Sequence, residues 1–268
     1  MKNKTCYIIN FYLGDRRKTI QNFYDDRLFL LKKQIDFINT VKSSINTIVF
    51  NFNIRPEDYK YISDIVKITP KFIGESEIVI NLRENYGMSY GAWSDVFKKY
   101  QDKFDYYIFN EDDYFFVEDN WDDYLIKKFN SLDGCGYLCM VSREGQEWCD
   151  YKKHAGHSTG ISSYEVLNKV YEKYGELPHS KKDDYLSVEK LGQVNQSHAV
   201  IEVGYEIYDV RDDYRIEFEI SDVKNPNDIW RFFWWNEKFI IKPALLIDVE
   251  PPYVYWESYD DEFKPYKN

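Results

Sequence analysis

The segment Tyr106-Tyr107-Ile108-Phe109-Asn110-Glu111-Asp112-Asp113-Tyr114-Phe115-Phe116 sets three consecutive acids between two apolar, aromatic runs. The flanking runs read as buried strand. Carboxylates are rarely buried unless they are paired or bind a metal. An acidic triplet leaving such a strand is therefore a candidate metal site. Its oxygen ligands suit a hard cation, Mg²⁺ or Mn²⁺, which commonly shares its coordination with substrate phosphates. The alternative is a strand that ends in an acidic surface turn.

The elements that must position this triplet follow from the pattern around it. Residues 5–12 and 46–52 read as buried strands. Between them, a stretch from about Lys18 to Lys42 has apolar residues at Leu28, Leu31, Ile35 and Ile38, the spacing of an amphipathic helix facing a sheet. Pro56 opens a short helix over about 57–66, and residues 77–82 form a third strand. Gly91-Ala92-Trp93 leads into a helix reaching about Tyr100, and 104–110 form a fourth strand. Strands alternating with helices predict an α/β fold with a mostly parallel central sheet flanked by helices. Ligands in such sheets sit at the carboxyl ends of the strands, where the triplet lies. The second half is less regular. It predicts a strand at 136–141, a helix over 163–174 capped by Ser162 or Ser163, a helix over 183–191 ended by Gly192, and strands at 201–210 and 215–220.

Composition bounds the function. The chain has 268 residues, 44% of them hydrophobic and 19% aromatic, with 25 Tyr and 18 Phe, enough for a large core and an aromatic groove. A net charge of −11 argues against nucleic acid as the main partner, because its backbone calls for a basic stripe. No segment approaches the roughly 18–20 apolar residues of a membrane span. The short run from Cys6 to Leu13 lacks a cleavage site and reads as a first strand, so a soluble, cytoplasmic protein is expected. Cys6, Cys135, Cys139 and Cys149 form no CxxC pair, and reduced thiols are the expectation.

In motif order, over roughly Cys6 to Ile207, the chain resembles a family 2-like glycosyltransferase of the GT-A (Rossmann-like) fold. Asn110-Glu111-Asp112-Asp113 resembles that family's D-x-D segment, which holds Mn²⁺ or Mg²⁺ on the diphosphate of a nucleotide sugar. The resemblance puts Asp113 first as metal ligand, then Glu111, then Asp112, with a Glu where the family has its first Asp. Asn85-Tyr86-Gly87-Met88-Ser89-Tyr90-Gly91-Ala92 resembles the N-x-G-x-x-x-G/A stretch beside the nucleotide, which implies roles for Asn85 and Gly87. Asp15 and Arg16 after the first strand, Asp95 in the following helix and Asn110 are further nucleotide-sugar candidates. His157-Ser158-Thr159-Gly160-Ile161-Ser162 resembles the small-residue loop bordering the acceptor, which implies Thr159 and Gly160. Lys181-Lys182-Asp183-Asp184-Tyr185-Leu186-Ser187 resembles the base segment of inverting members, with Asp184 ahead of Asp183 as general base and a slip of about one residue. His198 stands where some members place a third metal ligand, and Trp234 and Trp235 offer an acceptor platform.

The resemblance implies a glycosyltransferase domain over 1–220, with a nucleotide-sugar half at 1–117 and an acceptor half at 118–220. An irregular, aromatic-rich extension, 221–268, would pack on it. The implied reaction is metal-dependent transfer from a nucleoside diphosphate sugar, a UDP-sugar favoured, to a glycan hydroxyl, with inversion. A retaining transferase, a nucleotidyltransferase and a non-catalytic carbohydrate-binding protein are the alternatives. Against the nucleotidyltransferase, the loop Gly14-Asp15-Arg16-Arg17 carries a single glycine.

Overall fold

A computed structural model describes residues 3–13, 27–140, 142–144, 153–155, 159–181, 189–210, 230–235 and 238–243. The chain opens with strand β1 (Thr5–Tyr12), followed by helix α1 (Phe29–Thr40) and β2 (Thr47–Ile54). A 3₁₀ turn at Pro56–Tyr61 leads into α2 (Ile62–Ile68), and β3 (Phe72–Ile73) and β4 (Ser76–Glu84) come next. Helix α3 (Met88–Lys99) precedes β5 (Tyr106–Glu111), and the short β6 (Phe115–Phe116) follows the acidic turn. Then come α4 (Trp121–Ser131), β7 (Cys135–Cys139), β8 (Ser142–Glu144), β9 (Lys153–Ala155), β10 (Gly160–Ser163) and α5 (Tyr164–Tyr174). A π-helical turn at Glu189–Val194 runs into α6 (Asn195–Glu202), followed by β11 (Glu206–Asp209), β12 (Trp230–Trp235) and β13 (Lys238–Pro243).

The main sheet has the order β11-β7-β10-β5-β1-β2-β4-β3. Strands β4, β2, β1 and β5 are mutually parallel, whereas β10 runs antiparallel between β5 and β7. This is the expected α/β architecture with a mostly parallel sheet. The chain leaves β1 towards β2 on one side and returns to β5 on the other. The β1–β5 junction is thus the switch point, where such sheets open a crevice at the carboxyl ends of their strands.

Each strand of the centre is buried on both faces, which is why it reads as continuous apolar sequence. On one face Tyr7, Ile9, Phe11, Phe50, Phe52 and Ile108 pack with Leu31 of α1 and Trp121, Leu125 and Phe129 of α4. On the other, Cys6, Ile8, Val49, Tyr107 and Phe109 pack with Trp93 and Phe97 of α3, Val166 and Val170 of α5, and Val200 of α6. Aromatic pairs fix these layers: Trp93 lies 4.9 Å from Phe109, Phe97 meets Tyr107 edge-on at 5.1 Å, and Phe116 stacks on Trp121 at 3.8 Å. Cys6, Cys135 and Cys139 are buried free thiols, and burial pushes the Cys6 thiol well above its ordinary range.

Several boundaries differ from expectation. Helix α3 starts at Met88 rather than Gly91, because Gly87 takes the left-handed conformation (φ 64°) at its N-cap. Gly192 does not end a helix: it lies inside the π-helical turn, its Cα face against the Tyr90 ring. Ile201 and Glu202 close α6, so the strand expected from 201 begins only at Glu206. The tail is not wholly irregular, since β12 and β13 form an antiparallel hairpin whose second strand pairs with β6. Ser163 caps α5 as expected, accepting from Val166 N. The strand expected at 215–220 falls outside the described residues. No described helix is long and apolar enough to cross a membrane.

Trp93, on α3, is fully buried against the sheet. Trp93→Ala is expected to cost about 3–5 kcal/mol in chemical denaturation, the range for a large-to-small aromatic core change.

Candidate active site at the carboxyl edge of the sheet

The acidic turn is anchored to β1 and α1. Asp112 N donates to Asn10 O (3.1 Å), and Tyr12 N donates to Asp112 Oδ2 (3.0 Å). Gln34 of α1 donates its amide to Asp112 O (3.0 Å) and Tyr114 O (2.7 Å). Asp112 and Asp113 are 5% and 8% exposed, so the turn is a built feature and not a solvated loop.

Glu111 belongs to a row of polar side chains that replaces the apolar pattern at the carboxyl ends of four strands. Register aligns Glu111 with Asn10, Asn10 with Asn51, and Asn51 with Asn81. The bonds all run one way: Lys99 Nζ donates to Asn81 (3.1 Å), Asn81 to Asn51 (2.6 Å), and Asn51 to Asn10 (2.8 Å). Asn10 then donates to Ser89 Oγ (3.1 Å), and Ser89 donates to Glu111 Oε1 (2.8 Å). A branch enters from Arg83, whose Nη1 donates to Asn53 (2.6 Å), which donates to Asn10 (3.1 Å). A cation stands at the start of each branch and a carboxylate at the end, so the dipoles reinforce one another. Ser89 is in the first turn of α3, where the helix dipole also favours the Glu111 charge.

The expected site residues fall into three groups. Glu111, Asp112, Asp113, Asn85 and Gly87 lie on segments that meet at this edge. Asn85 has a buried amide whose nitrogen and oxygen find no hydrogen-bond partner among the described residues, which is rare for a buried amide. At Gly87 an added Cβ would lie 2.6 Å from Ser180 O, so the turn before α3 seats residues 179–180 directly against it.

A second group is committed elsewhere. Asn110 is fully buried: its Nδ2 donates to Tyr7 Oη (2.7 Å) and Tyr114 O (2.8 Å), and its Oδ1 accepts from Thr159 Oγ1 (3.0 Å). Burial pushes the Tyr7 phenol far above its ordinary value, against the opposing Asn110 bond, and keeps it neutral. Asn110 and Thr159 thus brace the acidic turn from beneath. Gly160 is likewise buried in β10, where its absent side chain leaves room for Leu138 O and the Tyr137 ring. These packing and hydrogen-bonding roles are what the structure shows for Asn110, Thr159 and Gly160, which the resemblance places at the nucleotide and the acceptor. Asp95 accepts from Arg83 Nε (2.6 Å) and Tyr86 Oη (3.2 Å), an ion pair that holds Arg83 over the Tyr86 ring at 4.0 Å. His198 is on α6, which packs on α5, β7 and β9, and it faces Glu202 at 3.3 Å. Among the described residues no group of three or more His, Cys, Asp or Glu side chains is placed to hold a metal ion.

The third group, Asp15, Arg16, Asp183 and Asp184, lies outside the described residues. Trp234 and Trp235 end β12, where only the backbone is described.

Sequence reasoning missed the asparagine row, Ser89 and Arg83. The signal was available: Asn10, Asn51, Asn53 and Asn81 each interrupt an apolar strand near its end, at matching distances along the sheet. It also missed Arg55, whose guanidinium lies over the Tyr12 ring at 5.1 Å where β1 and β2 end.

No protein-family model and no curated protein matches the chain. Among solved structures, the chain is similar to 4-diphosphocytidyl-2C-methyl-D-erythritol synthase from Anaerococcus prevotii, at 12% identity over 77% of this chain and 86% of that one (TM-score 0.45). It is similar to a cytidylyltransferase from Leptospira borgpetersenii at 16% identity over 80% and 81% (TM-score 0.46). It is also similar to CMP:2-keto-3-deoxy-manno-octonic acid synthetase complexed with CTP, at 13% identity over 77% and 88% (TM-score 0.43). These are distant likenesses; the fold stands on the sheet order and register above.

Gly87→Ala is expected to destabilise the protein by more than about 1 kcal/mol, because it adds left-handed strain to a clash with Ser180 O. A denaturant titration against a Gly134→Ala control measures the clash separately, since Gly134 shares the positive φ (63°) but has open space around it.

Proposed function

We propose that the chain is a metal-dependent transferase acting on a nucleotide-activated sugar, with the nucleotide at the carboxyl edge of β1, β2 and β5. The observation that carries the reading is the acidic turn at the switch point, braced from below and joined to the first turn of α3 through Ser89. Ligands of open α/β sheets occupy this crevice. Its hard oxygen donors fit Mg²⁺ or Mn²⁺, which is commonly bound by one or two carboxylates together with substrate phosphates.

Asp113 is the proposed protein ligand, with Glu111 beside it. A cation bound there would supply stabilisation of the charge that grows on the leaving diphosphate. The chain's own groups do the rest. The Asn85 amide offers a donor and an acceptor to ligand oxygens. The Tyr12 ring and the Arg55 guanidinium present flat faces where the base would stack. Asp184, or Asp183, is the proposed base that takes the proton from the acceptor hydroxyl. Sugar transfer to a glycan hydroxyl, with inversion, is the finer reading. Nucleotidyl transfer is the second, favoured by the consecutive cations Arg16-Arg17-Lys18 shortly after β1, which suit a triphosphate.

A thermal-shift panel of UDP, GDP, CDP, CMP and dTDP, each with and without Mn²⁺, tests the shared part. One nucleotide is expected to raise Tm only with the metal, by mass action on the native state. The shift is expected to vanish in Asp113→Asn while the ligand-free Tm holds. A full shift in that variant removes Asp113 from the site. Phosphorus NMR of turnover then separates the finer readings: a nucleoside diphosphate product marks sugar transfer, and pyrophosphate marks nucleotidyl transfer.

A further inference from the structure

The structure has an open cleft in the same half of the chain as Thr159 and Gly160, which are themselves buried. A cleft of about 370 Å³ is lined by Tyr174, Glu176, His179, Lys181, Leu191 and Asn195. Its volume is in the range of small-molecule sites. One wall, residues 179–180, leans on Gly87, at the start of the same helical turn that carries Ser89 and hence Glu111. The cleft therefore opens beside the carboxyl edge where the donor is placed.

The lining has the chemistry that recognises a sugar ring. Tyr174 is 40% exposed and its hydroxyl is tethered to Glu202 of α6, so its ring is a held apolar face. Leu191, also 40% exposed, adds apolar surface to the lining. Lys181 Nζ donates to Glu176 at 2.6 Å, and His179 Nε2 lies 3.5 Å from the same carboxylate. The charges are thus paired within the wall, and the cleft offers donors and acceptors without a strong net sign. Asn195 adds an amide. An anionic ligand would have to compete with Glu176 for Lys181.

We infer that this cleft is the acceptor subsite and that it takes a neutral, hydroxyl-rich pyranoside. The inference rests on the transferase reading above, but its binding test is independent of it. Saturation-transfer NMR on the full chain, with the methyl glycosides of glucose, galactose, N-acetylglucosamine and glucuronic acid, tests it directly. A neutral glycoside is expected to receive saturation, to lose it in Tyr174→Ala, and to keep it in Asp113→Asn. In turnover, Tyr174→Ala is expected to raise the acceptor KM by about tenfold or more, while the donor KM stays within about twofold.

Saturation transfer to no glycoside overturns the inference, as does saturation that survives Tyr174→Ala or a preference for the glucuronide. If the metal–nucleotide shift is present and no glycoside binds, the cleft assignment fails and the transferase reading stands. If a neutral glycoside binds through Tyr174 and no nucleotide binds, the cleft is a sugar site and the transferase reading fails.

Discussion

The structure depends on one buried amide, the side chain of Asn10. It accepts from Asn51 and Asn53 and donates to Ser89, and so connects β1 and β2 to the first turn of α3, with β4 joined through the Asn81–Asn51 bond. A buried polar group left unsatisfied costs about 1–3 kcal/mol, and here each neighbour depends on the next for its partner. The row therefore forms as a set. It sets the register of β1, β2 and β4, and it fixes the helix that must deliver Ser89 to Glu111. An apolar residue at position 10 would leave the facing amides of Asn51 and Asn53 without their acceptor.

This arrangement explains why a sheet so apolar turns polar at one edge. Towards the amino end of the strands, Cys6, Ile8, Val49, Tyr107 and Phe109 pack against α3, α5 and α6 as an ordinary core. At the carboxyl end of the same face the side chains become Asn10, Asn51, Asn53, Asn81, Arg83 and Glu111. The core supplies the rigidity and the edge supplies the charge pattern. On the opposite face Gln34, Asn110 and Thr159 hold the backbone of the acidic turn from below, while Ser89 of α3 holds the Glu111 carboxylate from the other side. A turn braced in this way presents charge with little reorganisation, which electrostatic stabilisation of a departing diphosphate requires.

Much of this was legible in the sequence, and the parts that were not share a cause. Strong apolar runs ending in acids located β5 and the turn, and the β/α alternation gave the parallel sheet. The antiparallel β10 between β5 and β7 was not legible, because four residues, Gly160–Ser163, carry no directional signal. The start of α3 was misplaced because Gly87 and Gly91 both read as turn residues; only the left-handed φ of Gly87 separates them. That Asn110 and Thr159 face each other under the turn was not legible either, since no local pattern encodes a pairing 49 residues apart. The same holds for the asparagine row: each Asn is unremarkable alone, and only strand register aligns them.

Hydrogen exchange read by mass spectrometry tests the central claim most directly, on the full chain with and without Mn²⁺ and the nucleotide that stabilises it most. The account predicts slowed exchange at residues 10–13, 85–89 and 110–114, the three segments that meet at the carboxyl edge, with the interiors of α4 and α6 unchanged. Unchanged exchange in those segments, with slowing confined to another part of the chain, would contradict it.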